Sequence, residues 1–266
     1  MYNGKSIRVT TNGYVVELCL DRPELLNRFD ADVHDELPAA IDEIARASRS
    51  TDVRAVIVCS TGSVFSAGGD FDFMKQARED VGFLLDHSLT AKRIVMALLD
   101  LEMPTIAAVQ GAAIGLGATI ALTCDMVVAS RNVRIADPHV NIGLVAGDGG
   151  CLVWPAAVGI KRASRYLLTG DRLDADTAYQ FGLVTDLVER PVDVLPAARE
   201  LAAKVARLPP LAVQGTKRSL ANVMRARSAE VFDMSLAYEL VTTLSDDILE
   251  AIDAFKEGRP GNYKRR

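Results

Sequence analysis

Phe65-Ser66-Ala67-Gly68-Gly69-Asp70 and Gly111-Ala112-Ala113-Ile114-Gly115-Leu116-Gly117 decide how this chain is read. The first follows an apolar, β-type run at residues 53–59. The second follows a similar run at 105–109 and leads into a helix-like stretch. Glycines at the end of a strand let the backbone turn sharply and bring its N–H groups close to a ligand. Two such N–H groups converging on one oxygen form an oxyanion hole, which stabilises a developing enolate by several kcal/mol. Neither segment has the GxxxxGK[ST] pattern of a phosphate-cradling loop, and the second is not a GxGxxG dinucleotide fingerprint. The glycines also suit plain tight turns.

Outward from these segments, apolar runs at 7–10 and 15–20 flank Asn12-Gly13, a two-residue hairpin signal. Asp30 is placed to cap a helix carrying Val33, Leu37, Ile41 and Ile44 at helical spacing. A second amphipathic helix with Leu89, Ile94, Val95, Leu98 and Leu99 precedes the strand at 105–109. Further strands are expected at 126–129, 133–136 and 182–188. Strands alternating with amphipathic helices define an α/β fold. From about residue 197 the pattern is almost wholly helical, punctuated by Pro209-Pro210, which suggests a core over residues 1–200 and a helical region over 201–266. No internal repeat or low-complexity tract interrupts the chain.

The 266 residues carry a net charge of −5, and the short basic tail Lys264-Arg265-Arg266 is too sparse for a nucleic-acid partner. Cys19, Cys59, Cys124 and Cys151 lie far apart without a CxxC, so neither a zinc site nor a disulfide framework is expected. The first residues lack the apolar stretch of a secretory signal, which suggests a cytoplasmic protein. The apolar stretch 105–122 suits a strand, loop and helix better than a membrane span, because Gln110 and spaced glycines interrupt it.

The two glycine segments, Leu20-Asp21-Arg22-Pro23 with Asn27, Cys124-Asp125, Leu167-Leu168-Thr169-Gly170, Gly182-Leu183-Val184 and the ending at 254–259 together resemble the crotonase superfamily of enoyl-CoA hydratases and isomerases. The resemblance covers almost the whole chain. It implies an α/β, crotonase-type spiral of ββα units with a helical C-terminal oligomerisation region, assembled as a homotrimer or a homohexamer. It implies an acyl-CoA substrate, with coenzyme A part of the thioester and no metal or redox cofactor. The oxyanion hole falls on the N–H groups of Gly69 and Leu116, the latter at a helix N-terminus whose dipole adds to the effect. Leucine, where the family usually has a small residue, intrudes on the acyl pocket. Ser66, Ala67, Gly68, Asp70, Gly115 and Thr119 complete the substrate surface. Glu24, Ser63 and Asp72 occupy some of the family's lysine positions, so Arg22, Arg28, Lys256 and Arg259 are the available cations for the CoA phosphates.

The usual two glutamates of the resembling hydratases are absent. Thr119 stands at the first position and cannot serve as a base near neutral pH. His139, in Asp137-Pro138-His139, stands at the second. Asp148 follows nine residues later in Gly147-Asp148-Gly149-Gly150, offering an acid–base pair. Asp148 between glycines also suits a turn. His139, Asp148, Glu239 and His34 also fall where 6-oxocamphor hydrolase, a crotonase-fold enzyme that cleaves β-diketones without CoA, has functional residues; its further histidine falls at Leu116. Glu239 equally suits a solvated or interface carboxylate. His34, on a charge-rich helix, is expected at the surface or beside the cap, and His87 has no partner pattern. Three functions stay open: an acyl-CoA enzyme using His139 and Asp148, a CoA-independent hydrolase of cyclic β-diketones, and an inactive binding protein on the same fold.

Overall fold

The computed structural model describes residues 2–264, so Met1 and the last two residues of the basic tail lie outside the described residues. Strands β1 (Ile7–Asn12) and β2 (Val15–Leu20) form the expected hairpin with Asn12 opposite Val15. Gly13 supplies the positive φ of +58° that such a two-residue turn needs. Helix α1 (Ala31–Ala47) follows, with the Asp30 carboxylate accepting from the Val33 N–H at 3.2 Å. Strand β3 (Ala55–Ser60) then leads to three helices, α2 (Phe71–Glu79), α3 (Val81–Ser88) and α4 (Thr90–Asp100). Strands β4 (Thr105–Val109) and β5 (Ala113–Ile114) precede α5 (Leu116–Thr123), β6 (Met126–Ser130) and β7 (Arg134–Ala136). Helices α6 (Gly150–Val158) and α7 (Ile160–Leu167), strand β8 (Leu173–Asp174), α8 (Ala175–Phe181) and β9 (Asp186–Val188) complete the core. Three helices close the chain: α9 (Val194–Ala206), α10 (Pro210–Thr243) and α11 (Asp246–Glu257).

The main sheet runs β1-β2-β3-β4-β6-β9, parallel from β2 onward. Its central strands are buried on both faces, which explains their unbroken apolar sequences. Side chains alternate between two cores. Val56, Val58, Ala107 and Val109 face the larger one with α1 and α4, whereas Ile57, Cys59, Ile106 and Ala108 face Val194, Ala198 and Ala202 of α9. Those three α9 residues recur every four positions, the spacing that puts them on one helix face. Residue 200, the boundary read from the sequence, therefore lies within a helix packed on the main sheet.

Two strands differ from expectation. Residues 134–136 pair with β5 and β8 in a separate three-stranded sheet, since periodicity alone cannot say which sheet a strand joins. The segment at 182–188 is strand only over Asp186–Val188, because Gly182 is spent on capping α8 in the left-handed region. The long α10 is pinned near its start by an ion pair between a buried lysine and a more exposed aspartate. Lys217 Nζ lies 2.8 and 2.7 Å from the two carboxylate oxygens of Asp125, and one of these also accepts from the Thr105 N–H and hydroxyl at 2.7 and 2.9 Å. Among the described residues no helix is long and apolar enough to cross a membrane.

Candidate active site

The glycine segments lie side by side. Ser66 bridges Ala113 in parallel fashion, and the Ile114 N–H donates to the Ser66 carbonyl at 3.1 Å. The Ser66 hydroxyl donates to the Asn27 carbonyl at 2.8 Å and accepts from the Gly68 N–H at 3.1 Å. The Ala67 N–H donates to Leu26, and Asp70 caps α2 by accepting from Asp72 and Phe73 at 2.9 and 3.0 Å. These bonds leave one group over. Phe29 donates to the Gly68 carbonyl at 2.9 Å and accepts from the Asp70 N–H at 3.1 Å, so the Gly69 N–H between them turns the other way. It has no partner among the described residues. The Leu116 N–H also has none, because it opens α5, where a helix leaves its first donors unpaired. Gly115 (φ +53°) brings the two segments together: a Cβ there would stand 4.0 Å from Gly68 Cα and 3.4 Å from His139 Cε1.

Gly69 and Leu116 line a cavity of about 100 Å³, small against the ~300–1,000 Å³ of ordinary ligand pockets. Leu116 is one of the side chains that narrow it. His139, Asp148 and Glu239 line the same cavity. His139 and Asp148, only 7% and 5% exposed, face each other with Nε2 3.3 Å from a carboxylate oxygen of Asp148. On its other side the imidazole Nδ1 is hydrogen-bonded to Asp137, which is fully buried. Burial alone would discharge the imidazolium, but the Asp148 and Asp137 carboxylates outweigh it and hold His139 well above the usual histidine range. These three residues place possible ligand atoms within 4.8 Å of one another. Both His139 nitrogens are already engaged by carboxylates, however, so a cation would have to displace one of those bonds.

Glu239 reaches the cavity from α10. Burial first, and then the Asp148 charge, push its carboxyl up to about 8, so it is mainly protonated at neutral pH. Its Oε2 is sealed from solvent without a hydrogen-bond partner, packed against Gly147. Thr119 is buried behind Asp148 rather than lining the cavity, and its hydroxyl lies 3.5 Å from the carboxylate, at the outer limit of a hydrogen bond. Cys151 stands nearby with its thiol pushed up to about 11 by burial, which keeps it protonated and inert as a nucleophile.

Asp137 and His87 are the residues that sequence reasoning missed, and His34 is a correction. His34 is 8% exposed and lines the cavity, because α2 and α3 fold over α1 and Phe73 stacks flat on its ring at 4.6 Å. His87 on α3 lines the cavity too. The sequence contains three histidines, and all three meet here. Of the expected cations, Arg22 is engaged with Asp30 at 2.7 Å and with the Ser6 hydroxyl at 3.1 Å. Arg28 pairs with Asp70 at 3.0 Å beside the first glycine segment, and Lys256 is exposed on α11 near the Phe71 ring. Arg259 is held by Glu250 and Glu257. None of these four lines the cavity.

Parallel strands, a paired glycine cradle and a buried His/Asp/Glu cluster define a crotonase-fold protein. The profile of the enoyl-CoA hydratase/isomerase family matches residues 10–266. The chain is 33% identical over 250 residues to the short-chain-enoyl-CoA hydratase of Clostridium acetobutylicum, covering 93% of each. It is 34% identical over 257 residues to the 2,3-dehydroadipyl-CoA hydratase of Escherichia coli, covering 95% of this chain and 96% of that one. A crystal structure of an enoyl-CoA hydratase/isomerase from Mycobacterium paratuberculosis superposes with a TM-score of 0.89 at 32% identity, covering 95% of this chain and 99% of that one. The chain belongs to the enoyl-CoA hydratase/isomerase family of the crotonase superfamily.

Proposed function

We propose that this member of the family adds water to, or removes it from, an acyl-CoA thioester with an acid–base set unlike the usual glutamate pair. The observation that carries the reading is the meeting, in one cavity, of two unpartnered backbone N–H groups with Asp148, held 3.3 Å from His139 Nε2, and the buried Glu239 carboxyl. The thioester oxygen sits between the Gly69 and Leu116 N–H groups, where enolate charge is stabilised as it forms. In hydration Asp148 takes a proton from water as the oxygen bonds to Cβ, and the protonated Glu239 delivers a proton to Cα. Dehydration runs the same steps backward. The two carboxyl groups have different surroundings, Asp148 beside the His139 ring and Glu239 Oε2 sealed without a partner, which suits such a division of labour. His139, charged between Asp137 and Asp148, orients the Asp148 carboxylate and is a positioning residue.

Calorimetry with acetyl-CoA and turnover of crotonyl-CoA test the reading. Binding below millimolar concentration with measurable hydration is expected. The absence of both overturns it.

A second reading, cleavage of a cyclic β-diketone without CoA, is supported by one observation. His34, His139, Asp148 and Glu239 line one cavity while Arg22 is occupied by Asp30. Diketone cleavage without acetyl-CoA binding would select it. Self-association as a trimer or a pair of trimers is part of the proposal, supported by Leu211, Leu220, Met234, Tyr238 and Val241 exposed along α10. Light scattering on the purified protein reads it directly. A cytoplasmic location is supported by four cysteines that are all free thiols.

A further inference from the structure

The wall built by α1 and α3 carries two histidines that the acid–base chemistry leaves unused. His34 Nδ1 lies 2.8 Å from the Asp30 carbonyl, and His87 Nδ1 lies 2.8 Å from the Phe83 carbonyl. A carbonyl can only accept, so each Nδ1 carries a proton, and Nε2 is the ring atom left to accept from a ligand. Both rings line the cavity, and neither Nε2 has a partner among the described residues or is sealed from the cavity. Burial lowers the proton affinity of His34, which favours this neutral acceptor form. Aromatic neighbours fix both rings. Phe73 stacks on His34 with 3° between the planes, and Phe83 lies 4.1 Å from the His87 ring centroid. The two imidazoles are themselves edge to face at 6.5 Å. The rest of this wall is mostly apolar, with Phe29, Leu84 and Ala91, and the Ser88 hydroxyl beside them donates to the Leu85 carbonyl at 2.9 Å.

A fixed acceptor, once covered by a ligand, costs free energy unless the ligand supplies a donor. We propose that His34 and His87 form an acceptor pair that selects an acyl group bearing a hydroxyl, whose O–H donates to an imidazole Nε2. The proposal deepens the acyl-CoA reading above and rests on it. Its chemistry distinguishes a hydroxylated acyl chain or ring from its plain hydrocarbon counterpart, which fits the shape but leaves the nitrogens bare.

Phenol and toluene, which differ in an O–H for a methyl, are suitable probes on the full chain, followed by ¹⁵N NMR of the histidine rings. Phenol is expected to bind at least about tenfold tighter than toluene, the ratio of one well-placed hydrogen bond, and to move the Nε2 resonances of His34 and His87. In His34→Phe/His87→Phe that preference should vanish while toluene still binds. If the double variant does not fold, His87→Phe alone, at the less buried position, should lower the preference. Equal binding of the two probes, or a phenol preference that survives the substitutions, overturns the proposal. Benzoate binding tighter than phenol overturns it as well, because the wall would then recognise an anion. These probes carry no CoA, so their outcome is separate from that of the acetyl-CoA experiment.

Discussion

The His139 wall and the His34–His87 wall face one cavity with the same type of side chain and opposite chemistry. His139 Nδ1 meets the Asp137 carboxylate and Nε2 meets Asp148, so the ring is held as a cation. His34 and His87 give the Nδ1 proton to the backbone carbonyls of Asp30 and Phe83, which leaves Nε2 as the atom that can accept from a ligand. The group on Nδ1 sets what Nε2 can do. A carboxylate makes the imidazole an electrostatic brace, and a neutral carbonyl makes it an acceptor.

Substitutions on the charged wall test that contrast. The largest effect is expected from Asp148→Asn, which removes the base and one of the two charges on His139. Steady-state kinetics should show kcat lower by about 10²–10⁴-fold with little change in KM; an unchanged kcat would mean that the charged wall does no chemistry. The wild-type pH profile is expected to fall on the alkaline side near about 8, and Glu239→Gln should abolish that limb and lower kcat by about 10²-fold. The same residue fixes a sign in stability. The folded chain keeps a proton up to about 8 that the unfolded chain releases from 4.5, so Glu239 favours the native state below 4.5 and this contribution is lost as pH rises to about 8. Urea unfolding at pH 5 and pH 8 should therefore show a smaller loss of stability in Glu239→Gln than in the wild type.

Asp137→Asn sharpens the contrast at its origin. Removal of this carboxylate lowers the titration of His139, readable by NMR, and leaves His34 where it was. Gly115→Ala puts a Cβ 3.4 Å from His139 Cε1 on a backbone at φ +53°, at a cost of about 1–3 kcal/mol in unfolding free energy. Thr119→Val should change kcat by less than about threefold, because a 3.5 Å contact contributes little. A large loss there would assign Thr119 a role that its position behind Asp148 does not suggest.

Local signals in the sequence were legible where physics is local. Asn12-Gly13, the Asp30 cap and the unbroken apolar run of 55–59 each follow from turn, cap or burial rules acting within a few residues. Gly69, Leu116, His139, Asp148 and Glu239 line one cavity; the family resemblance points to the first four, whereas Glu239 comes only with the likeness to 6-oxocamphor hydrolase and equally suits a surface carboxylate. His87 was not legible, and the place of His34 beside the Asp30 cap was legible while its place in the cavity was not. Their convergence depends on how the helices over 71–88 fold back on α1 and α4, and a single histidine on a helix carries no period that announces it. Asp137 was passed over because a residue two before His139 looks like connecting chain; only the tertiary fold turns its carboxylate onto the ring. The pairing of 134–136 with a second sheet was hidden for a similar reason, since strand partners are chosen across the molecule.

Asp148 precedes α6, whereas Glu239 arrives 91 residues later on α10, a helix of 34 residues moored to the main sheet at Lys217. The two halves of the acid–base set are thus separated in time as well as in sequence. During synthesis the glycine cradle and the His139–Asp148 pair emerge first, and the carboxyl to which we assign proton delivery is still inside the ribosome. Only when α10 docks does Glu239 reach the cavity, so the last part of the site to be made is also the part that closes it.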